Sequence, residues 1–295
     1  MLTTEKQLYF RGHTYTIKPI PLQMATIGLG FAMLFWIIGL LVQDNGTLFI
    51  WGDQLWTFTS ATSHLANPYG SAGFFNMPWA MLMLIPFDFM PLEIAALSQI
   101  ILYFVLLALV AYKFGGGRFS LIIALSSALA LDAALEINID WIVCIGLLVP
   151  PIWSGPFLMV KPQTAFGYVF SFSRSNFIKA TIVVLSTIII AFILWGNWPL
   201  TLLENLQKYE TNALVNLAPM SILPVWVSLI IGIALGVWAV RKHDAILCII
   251  AGLFFVPYIA PSSLLVAFAL MAIRWPYIVL FVNAVCWVIV IQIIL

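Results

Sequence analysis

Charge is scarce in this sequence. Asp, Glu, Lys and Arg make up only 8% of the 295 residues, and hydrophobic residues make up 63%, whereas a soluble domain has about 25% charged residues. A chain with so few polar side chains cannot cover its surface in water, so the composition excludes an ordinary soluble domain and indicates lipid as the main solvent. The net charge of +1 also excludes the basic surface typical of nucleic-acid-binding proteins.

Cysteine and alternating polarity are scarce as well. The three cysteines, Cys144, Cys248 and Cys286, lie inside apolar runs without metal-site or disulfide spacing, so we interpret them as packing residues. Continuous apolar runs such as Ile182–Trp195 exclude the alternating strands of a transmembrane barrel and indicate helices. The first apolar run is too long for the core of a signal peptide. The predicted fold is all-α, a polytopic transmembrane helix bundle forming one domain over residues 1–295.

The bundle is predicted to contain both full spans and broken ones. A span needs about 20 apolar residues, so the chain has room for about eight to ten crossings. Leu22–Val42, Pro91–Tyr112 and Phe177–Trp195 are full spans. Met77–Phe87 is too short to cross and is predicted to be re-entrant or interfacial. Lys161-Pro162-Gln163 interrupts an apolar run, which predicts a pair of broken helices there.

The basic residues predict the orientation. With residues 1–21 in the cytoplasm, the threaded spans place every Lys and Arg on the cytoplasmic side except Lys161 and Lys208, as the positive-inside rule requires. Residues 43–77 then form an exoplasmic loop with an interfacial helix, and residues 196–222 form a second exoplasmic loop. We expect a multi-pass protein surrounded by membrane lipids, in the plasma membrane of a prokaryote.

The first loop contains a carboxylate with two possible roles. Asp53 precedes Gln54–Leu65, where apolar residues recur at helical spacing and predict an amphipathic interfacial helix. Asp53 is therefore either the N-cap of this helix or a general base for a sugar hydroxyl. His64 either contacts a phosphate or lies at the water boundary.

Proline and aromatic residues follow in the same loop. Asn67-Pro68-Tyr69 and Phe75-Asn76-Met77-Pro78-Trp79 contain rigid turns. Their aromatic rings suit stacking on sugars and equally suit an aromatic belt at the membrane interface.

A third group of polar residues lies within apolar sequence. Asp132, Glu136, Asn138 and Asp140 precede Lys161, and ionisable residues at membrane depth indicate a functional site by default. A buried ammonium needs a partner. Asp140 or Glu136 is one candidate partner of Lys161, and the phosphate of a ligand is the other.

The order of these motifs resembles the GT-C class of integral membrane glycosyltransferases, in particular the polyprenol-phosphate-sugar-dependent mannosyltransferase-like group. The resemblance covers roughly residues 20–170, and residue 77 is Met where the family usually has Pro. It implies that Asp53 is the catalytic base. It further implies a cavity for the donor phosphate, formed by Lys161, Gln163, His64, Asn138 and Asp140. It also implies a loop that binds the sugar or the acceptor, formed by Asn67, Tyr69, Asn76 and Trp79.

The function expected from this resemblance is transfer of a sugar from a polyprenol-phosphate donor to an acceptor on the exoplasmic side. The partners are membrane lipids and the lipid-linked donor, with no nucleic acid. No cofactor and no metal ligand are predicted, and a requirement for a divalent metal stays open. The alternative is a non-enzymatic membrane subunit or pseudoenzyme of a larger assembly, or a small transporter. A transporter typically has related halves, which the sequence does not display.

Overall fold

The computed structural model describes residues 6–10, 13–17, 19–44, 50–70, 73–208 and 216–294. Parts of three predicted segments lie outside these described residues. They are residues 1–5, 11, 12 and 18 of the N-terminal segment, residues 45–49, 71 and 72 of the first loop, and residues 209–215 of the second loop.

Helices account for most of the described chain, as the all-α prediction requires. The α-helices are α1 (Pro19–Asp44), α2 (Thr59–Ser63), α3 (Ala80–Asp88), α4 (Leu92–Lys113), α5 (Arg118–Leu125), α6 (Ala128–Glu136), α7 (Asp140–Leu148), α8 (Pro151–Val160), α9 (Pro162–Ala165), α10 (Arg174–Trp195), α11 (Trp198–Lys208), α12 (Pro219–Ile222), α13 (Val225–Lys242), α14 (Ala245–Leu253), α15 (Leu265–Arg274) and α16 (Pro276–Ile294). A π-helical segment covers Asp53–Phe58, and 3₁₀ turns cover Pro68–Gly70, Phe166–Ser171 and Pro261–Leu264.

A short β-hairpin near the N-terminus departs from the all-α prediction. Strands β1 (Lys6–Phe10) and β2 (His13–Ile17) pair antiparallel, with Lys6 opposite Ile17. The sequence analysis interpreted this segment only as a polar, basic tail. The signal it missed is the aromatic and β-branched content of Leu8-Tyr9-Phe10 and Thr14-Tyr15-Thr16-Ile17, which favours strands.

Fewer helices are long enough to cross a membrane than the eight to ten crossings predicted. By length and composition, the described residues contain four such helices, Ile20–Gln43, Leu92–Lys113, Arg174–Trp195 and Val225–Lys242. A fifth span is possible if α5 and α6, bent by 61° at their junction, count as one. The helices over residues 140–160 and 245–274 have only nine or ten residues each and fall below the length of a single span. The long apolar helices are compatible with a multi-pass membrane protein.

The short helices α7, α14 and α15 lie inside the bundle, whereas the long helices α10 and α13 lie largely outside it. Nearly every residue of α7 is buried, as are most residues of α14 and α15. By contrast, only 11% of the spanning window of α10 and 17% of that of α13 are buried. Short helices leave unpaired backbone groups at their ends, and lipid cannot satisfy them. Surrounding them with long helices therefore keeps their ends in contact with protein.

The N-terminal half is built on close packing of α1 against α4. Gly28 of α1 lies so near α4 that a Cβ at this position would be 2.6 Å from the backbone oxygen of Phe104. At the C-terminal end of α4, the Lys113 ammonium donates to the Leu147 oxygen over 2.7 Å, which joins the ends of α4 and α7. Because α7 has nine residues, Asp140 at its start lies about 13 Å from that end.

Candidate polar site

A buried ion pair lies at the centre of the candidate site. The Lys161 ammonium is 3.0 Å from Asp140 Oδ2. Asp140 is fully buried and Lys161 is 6% exposed. Thr164 donates its hydroxyl to the other Asp140 oxygen over 2.6 Å, so both carboxylate oxygens have donors. Of the partners that the sequence analysis considered for Lys161, the structure places Asp140 against it.

The start of α7 and the break between α8 and α9 bring this pair together. Asp140 is the first residue of α7, and Lys161 lies between α8 and α9 with non-helical backbone angles (φ −144°, ψ 76°). The proline that follows Lys161 disfavours the helical conformation at Lys161. The broken helices predicted at Lys161-Pro162-Gln163 are therefore present, and the break turns the ammonium towards the start of α7.

Asn138 extends the ion pair towards the surface. It accepts hydrogen bonds at Oδ1 from the Lys161 ammonium and, over 2.9 Å, from the Ile139 N–H. Its amide nitrogen donates to the Ser262 hydroxyl over 2.9 Å. Ser262 Oγ in turn lies 3.5 Å from Glu136 Oε2. Asn138 and Ser262 are buried, whereas Glu136 is exposed.

Two residues with left-handed backbone lie next to these polar groups. Trp51 has φ 57° and Ile137 has φ 55°, a region that β-branched and bulky residues rarely adopt and that costs about 1–3 kcal/mol. The Trp51 N–H donates to the Leu135 oxygen over 2.7 Å. This bond fixes the start of the Asp53 helix beside the end of α6. Residue 137 reverses the chain between Glu136 and Asn138.

Asp53 is partly buried near the same group of charges. It is the first residue of its helix, and the N-cap is Gly52, with no side-chain capping bond, so the N-cap hypothesis for Asp53 is wrong. Its carboxylate makes no hydrogen bond to a described residue. Burial, and secondarily the negative charge of Glu136, raise the pKa of Asp53 from 3.8 to about 7; Lys161 opposes this shift.

The predicted amphipathic helix after Asp53 is present with altered bounds. The prediction was Gln54–Leu65, and the helix covers Asp53–Ser63, with π-helical geometry in its first half. Of the residues that recur at helical spacing, Phe58, Ala61 and Thr62 are buried, whereas Leu65 is 44% exposed. The side chain of Leu55 lies outside the described part. The location of this helix at a membrane interface stays a prediction.

The residues predicted to form the acceptor loop take part in local structure. The Tyr69 hydroxyl donates to the Asn76 oxygen over 3.0 Å, and Tyr69 is 4% exposed. Trp79 donates its indole N–H to the Pro156 oxygen over 3.0 Å. The Asn67 side chain is exposed, and its backbone oxygen accepts from the Gly70 N–H over 3.1 Å. Stacking on a sugar stays a prediction for these rings.

His64 and Gln163, both predicted to line the donor cavity, lie apart from the ion pair's hydrogen bonds. The His64 ring is exposed, and its Nδ1 lies 2.9 Å from the Ser60 oxygen in its own helix. Gln163 is partly buried and has no hydrogen bond to a described residue. The side chain of Lys208 lies outside the described part.

Two surface grooves among the described residues are lined by neither Asp53 nor Lys161. One of about 420 Å³ lies between α1 and α5, and one of about 220 Å³ lies between α2 and the end of α3. The larger groove is lined by Ile27, Gly30, Phe31, Leu34 and Ile122. The smaller one is lined by Thr59, Thr62, Ser63, Leu65, Ile85, Asp88 and Phe89. A cavity shared by Asp53 and Lys161 therefore stays a prediction.

Sequence reasoning missed Thr164 and Ser262. Thr164 lies three residues after Lys161, the spacing at which side chains share a helix face, so its signal was available. Ser262 is more than a hundred residues from Asn138, so only the tertiary structure shows their hydrogen bond. Within the described residues, no group of three or more His, Cys, Asp or Glu is arranged to hold a metal ion.

Comparison with known proteins assigns no family. No family model matches the sequence, no curated protein matches it, and no solved structure matches the fold. The fold and site therefore define a class only: a helical bundle compatible with a multi-pass membrane protein, with a buried polar network in its interior.

Proposed function

We propose that this protein is a membrane glycosyltransferase that moves a sugar from a polyprenol-phosphate donor to an acceptor hydroxyl, with Asp53 as the general base. In this reaction Asp53 takes the acceptor's hydroxyl proton, and the acceptor oxygen forms a bond to the anomeric carbon. The bond from that carbon to the phosphate oxygen breaks, and polyprenol phosphate leaves with the electron pair. The proposed topology places the reaction on the exoplasmic side, with the N-terminus in the cytoplasm.

The state of the Asp53 carboxylate is the observation that carries this proposal. It is partly buried, has no hydrogen bond to a described residue, and has a pKa raised to about 7. A general base works best when its pKa is near the operating pH. A carboxylate without partners is also free to accept a hydrogen bond from a substrate hydroxyl. The order of motifs in the sequence supports the same class of reaction.

The Lys161 ammonium retains one donor for a phosphate. Lysine has three N–H donors, and in the structure Asp140 and Asn138 accept two of them. Under this proposal the third is available to a donor phosphate. The Asp140 charge already neutralises Lys161, however, so the attraction for a phosphate is weaker than that of an unpaired ammonium. We therefore assign Lys161 chiefly to orientation of the site.

The proposal is tested with Asp53→Asn in proteoliposomes supplied with radiolabelled polyprenol-phosphate sugars and a membrane extract as acceptor. Asn is nearly isosteric but cannot take a proton, so we expect transfer to fall by about 10²–10⁴-fold. In the wild-type protein the rate should rise with pH through about 7, as Asp53 ionises. Asp88→Asn makes the same substitution at the end of α3 and is the matched control. Full transfer by folded Asp53→Asn would refute the proposal.

A transporter or a non-enzymatic subunit is the second candidate. The observation that favours it is the excess of acidic groups: the charges of Glu136, Asp140 and Lys161 all act on Asp53. Asp132 also has a buried carboxylate oxygen without a partner in the described part. Acidic side chains within membrane-spanning segments are typical of cation or proton pathways. Proton or cation flux in proteoliposomes, abolished by Asp53→Asn and unaffected by lipid-linked sugars, would favour this candidate.

A further inference from the structure

The hydrogen bonds between Lys161 and Glu136 have a defined direction. An ammonium only donates, so Asn138 must present its oxygen to Lys161 and its NH₂ group to Ser262. The Ser262 oxygen therefore accepts from Asn138 over 2.9 Å. Its own proton is then free to point at Glu136 Oε2, 3.5 Å away. The buried cation thus fixes, through two neutral side chains, a donor aimed at an exposed carboxylate.

Ser262 and the adjacent Ser263 differ in their hydrogen bonds but not in burial. Both have 0% exposure. Ser262 Oγ bridges Asn138 and Glu136, whereas Ser263 Oγ has no partner in the described part. A buried hydroxyl is retained at low cost only where it is hydrogen-bonded. The contrast identifies the Ser262 hydroxyl as a specific contact of Glu136.

The acidic oxygens at this point are suited to the hydroxyl groups of a ligand. Glu136 is exposed, and its Oε1 has no partner in the described part. The Trp51 N–H donates to the Leu135 oxygen over 2.7 Å, so the segment that carries Asp53 lies beside the end of α6, which carries Glu136. The nearest cation, Lys161, is held by Asp140. Carboxylate oxygens accept hydrogen bonds from sugar hydroxyls.

We propose that Glu136 is a second substrate-binding carboxylate of this site, which accepts a hydroxyl hydrogen bond from a sugar ring, and that Ser262 is the positioning residue that orients Glu136. The assignment rests on the proposed function. The sugar ring belongs either to the lipid-linked donor or to the acceptor, and the chemistry of recognition is the same. Asp53 remains the base, and Glu136 takes no proton.

The positioning role is tested without an activity assay. Dicyclohexylcarbodiimide modifies protonated carboxyl groups in membrane proteins, and mass spectrometry measures the rate at Glu136. Ser262→Ala removes a contact that stabilises the ionised carboxylate, so we expect labelling about tenfold faster than in the wild-type protein. Ser263→Ala removes an equally buried hydroxyl without that contact and should stay within about twofold. Equal rates in all three proteins would overturn the positioning role.

Folding is checked separately. Thermal unfolding in detergent identifies variants that are misfolded. If Ser262→Ala is among them, Ser262→Thr replaces it as the test, because it retains the hydroxyl and should label at the wild-type rate. If folded Ser262→Thr is labelled faster than the wild-type protein, the faster rate reflects a general loosening of the structure. That result would count against the assignment.

The substrate role is tested by protection and kinetics. Addition of a short-chain polyprenol-phosphate mannose, or separately of the free mannoside, should slow labelling of Glu136. Protection by the first alone assigns Glu136 to the donor, and protection by both assigns it to any sugar ring. Glu136→Gln should raise the KM for the protected ligand about tenfold with a smaller change in kcat. Absence of protection by either would overturn the substrate role. Protection combined with full activity of Asp53→Asn would refute the proposed base and leave Glu136 as a sugar-binding residue.

Discussion

The ammonium of Lys161 lies 3.0 Å from Asp140 Oδ2, and both side chains are buried in the interior of the bundle. Their separation in sequence is bridged by two short helices, α7 and α8. Neither charge is stable alone at that depth, so the pair and its hydrogen bonds to Thr164 and Asn138 constrain how these helices pack.

We expect each half of this pair to need the other. Lys161→Met leaves a buried, uncompensated carboxylate and should lower the free energy of unfolding by about 3–5 kcal/mol. The double variant Lys161→Met/Asp140→Leu removes both charges and should be more stable than Lys161→Met alone. Denaturant unfolding in detergent measures both. Additive losses in the double variant would show that the two charges do not stabilise each other.

Asp53 should make stability depend on pH. Its pKa is raised from 3.8 to about 7 in the folded protein, so the folded state binds more protons than the unfolded state between these values. Stability therefore falls as pH rises from about 4 to about 7, and levels off above. The surrounding charges are Glu136, Asp140 and Lys161.

The measurement is the Tm of the wild-type protein minus that of Asp53→Asn, followed across this pH range. Asn does not titrate, so the difference isolates the contribution of Asp53. A difference that stays constant from pH 4 to pH 7 would be inconsistent with a raised pKa.

Two glycines of α1 should respond in opposite ways to alanine. A Cβ at Gly28 would lie 2.6 Å from the Phe104 oxygen, whereas nothing lies within 4 Å of one at Gly30. Gly28→Ala must force α1 away from α4 and should cost about 1–3 kcal/mol. Gly30→Ala should be neutral or stabilising by up to about 1 kcal/mol, because alanine favours helix. Unfolding of the two variants under identical conditions compares them directly, and equal stabilities would contradict this packing.

The predicted orientation is measurable by cysteine accessibility. The two variants are made in a protein whose three native cysteines are replaced. A membrane-impermeant maleimide added from the exoplasmic side should label Glu204→Cys. The same reagent should label Lys242→Cys only after the membrane is permeabilised. Both positions are exposed. The expectation follows from the distribution of Lys and Arg. Labelling in the reverse order would invert the topology and place the Asp53 loop in the cytoplasm.

Several local features were predictable from sequence. The helix after Asp53, the break at Lys161-Pro162-Gln163 and the need of Lys161 for a partner all follow from spacing, proline chemistry and the cost of burying charge. Predictions failed where tertiary contacts decide. Glycine at position 52, rather than Asp53, is the N-cap, because the backbone at Trp51 is left-handed and bonded to Leu135.

Composition and hydrophobic runs by themselves determined that the chain is helical and suited to lipid, because those properties depend on residue type and local order alone. They did not determine which apolar runs cross and which are short helices inside the bundle. That depends on whether neighbours satisfy the helix ends. The tertiary structure also chose Asp140 as the partner of Lys161 and brought Ser262 to Asn138 and Glu136, because contacts between distant segments arise only when the helices pack.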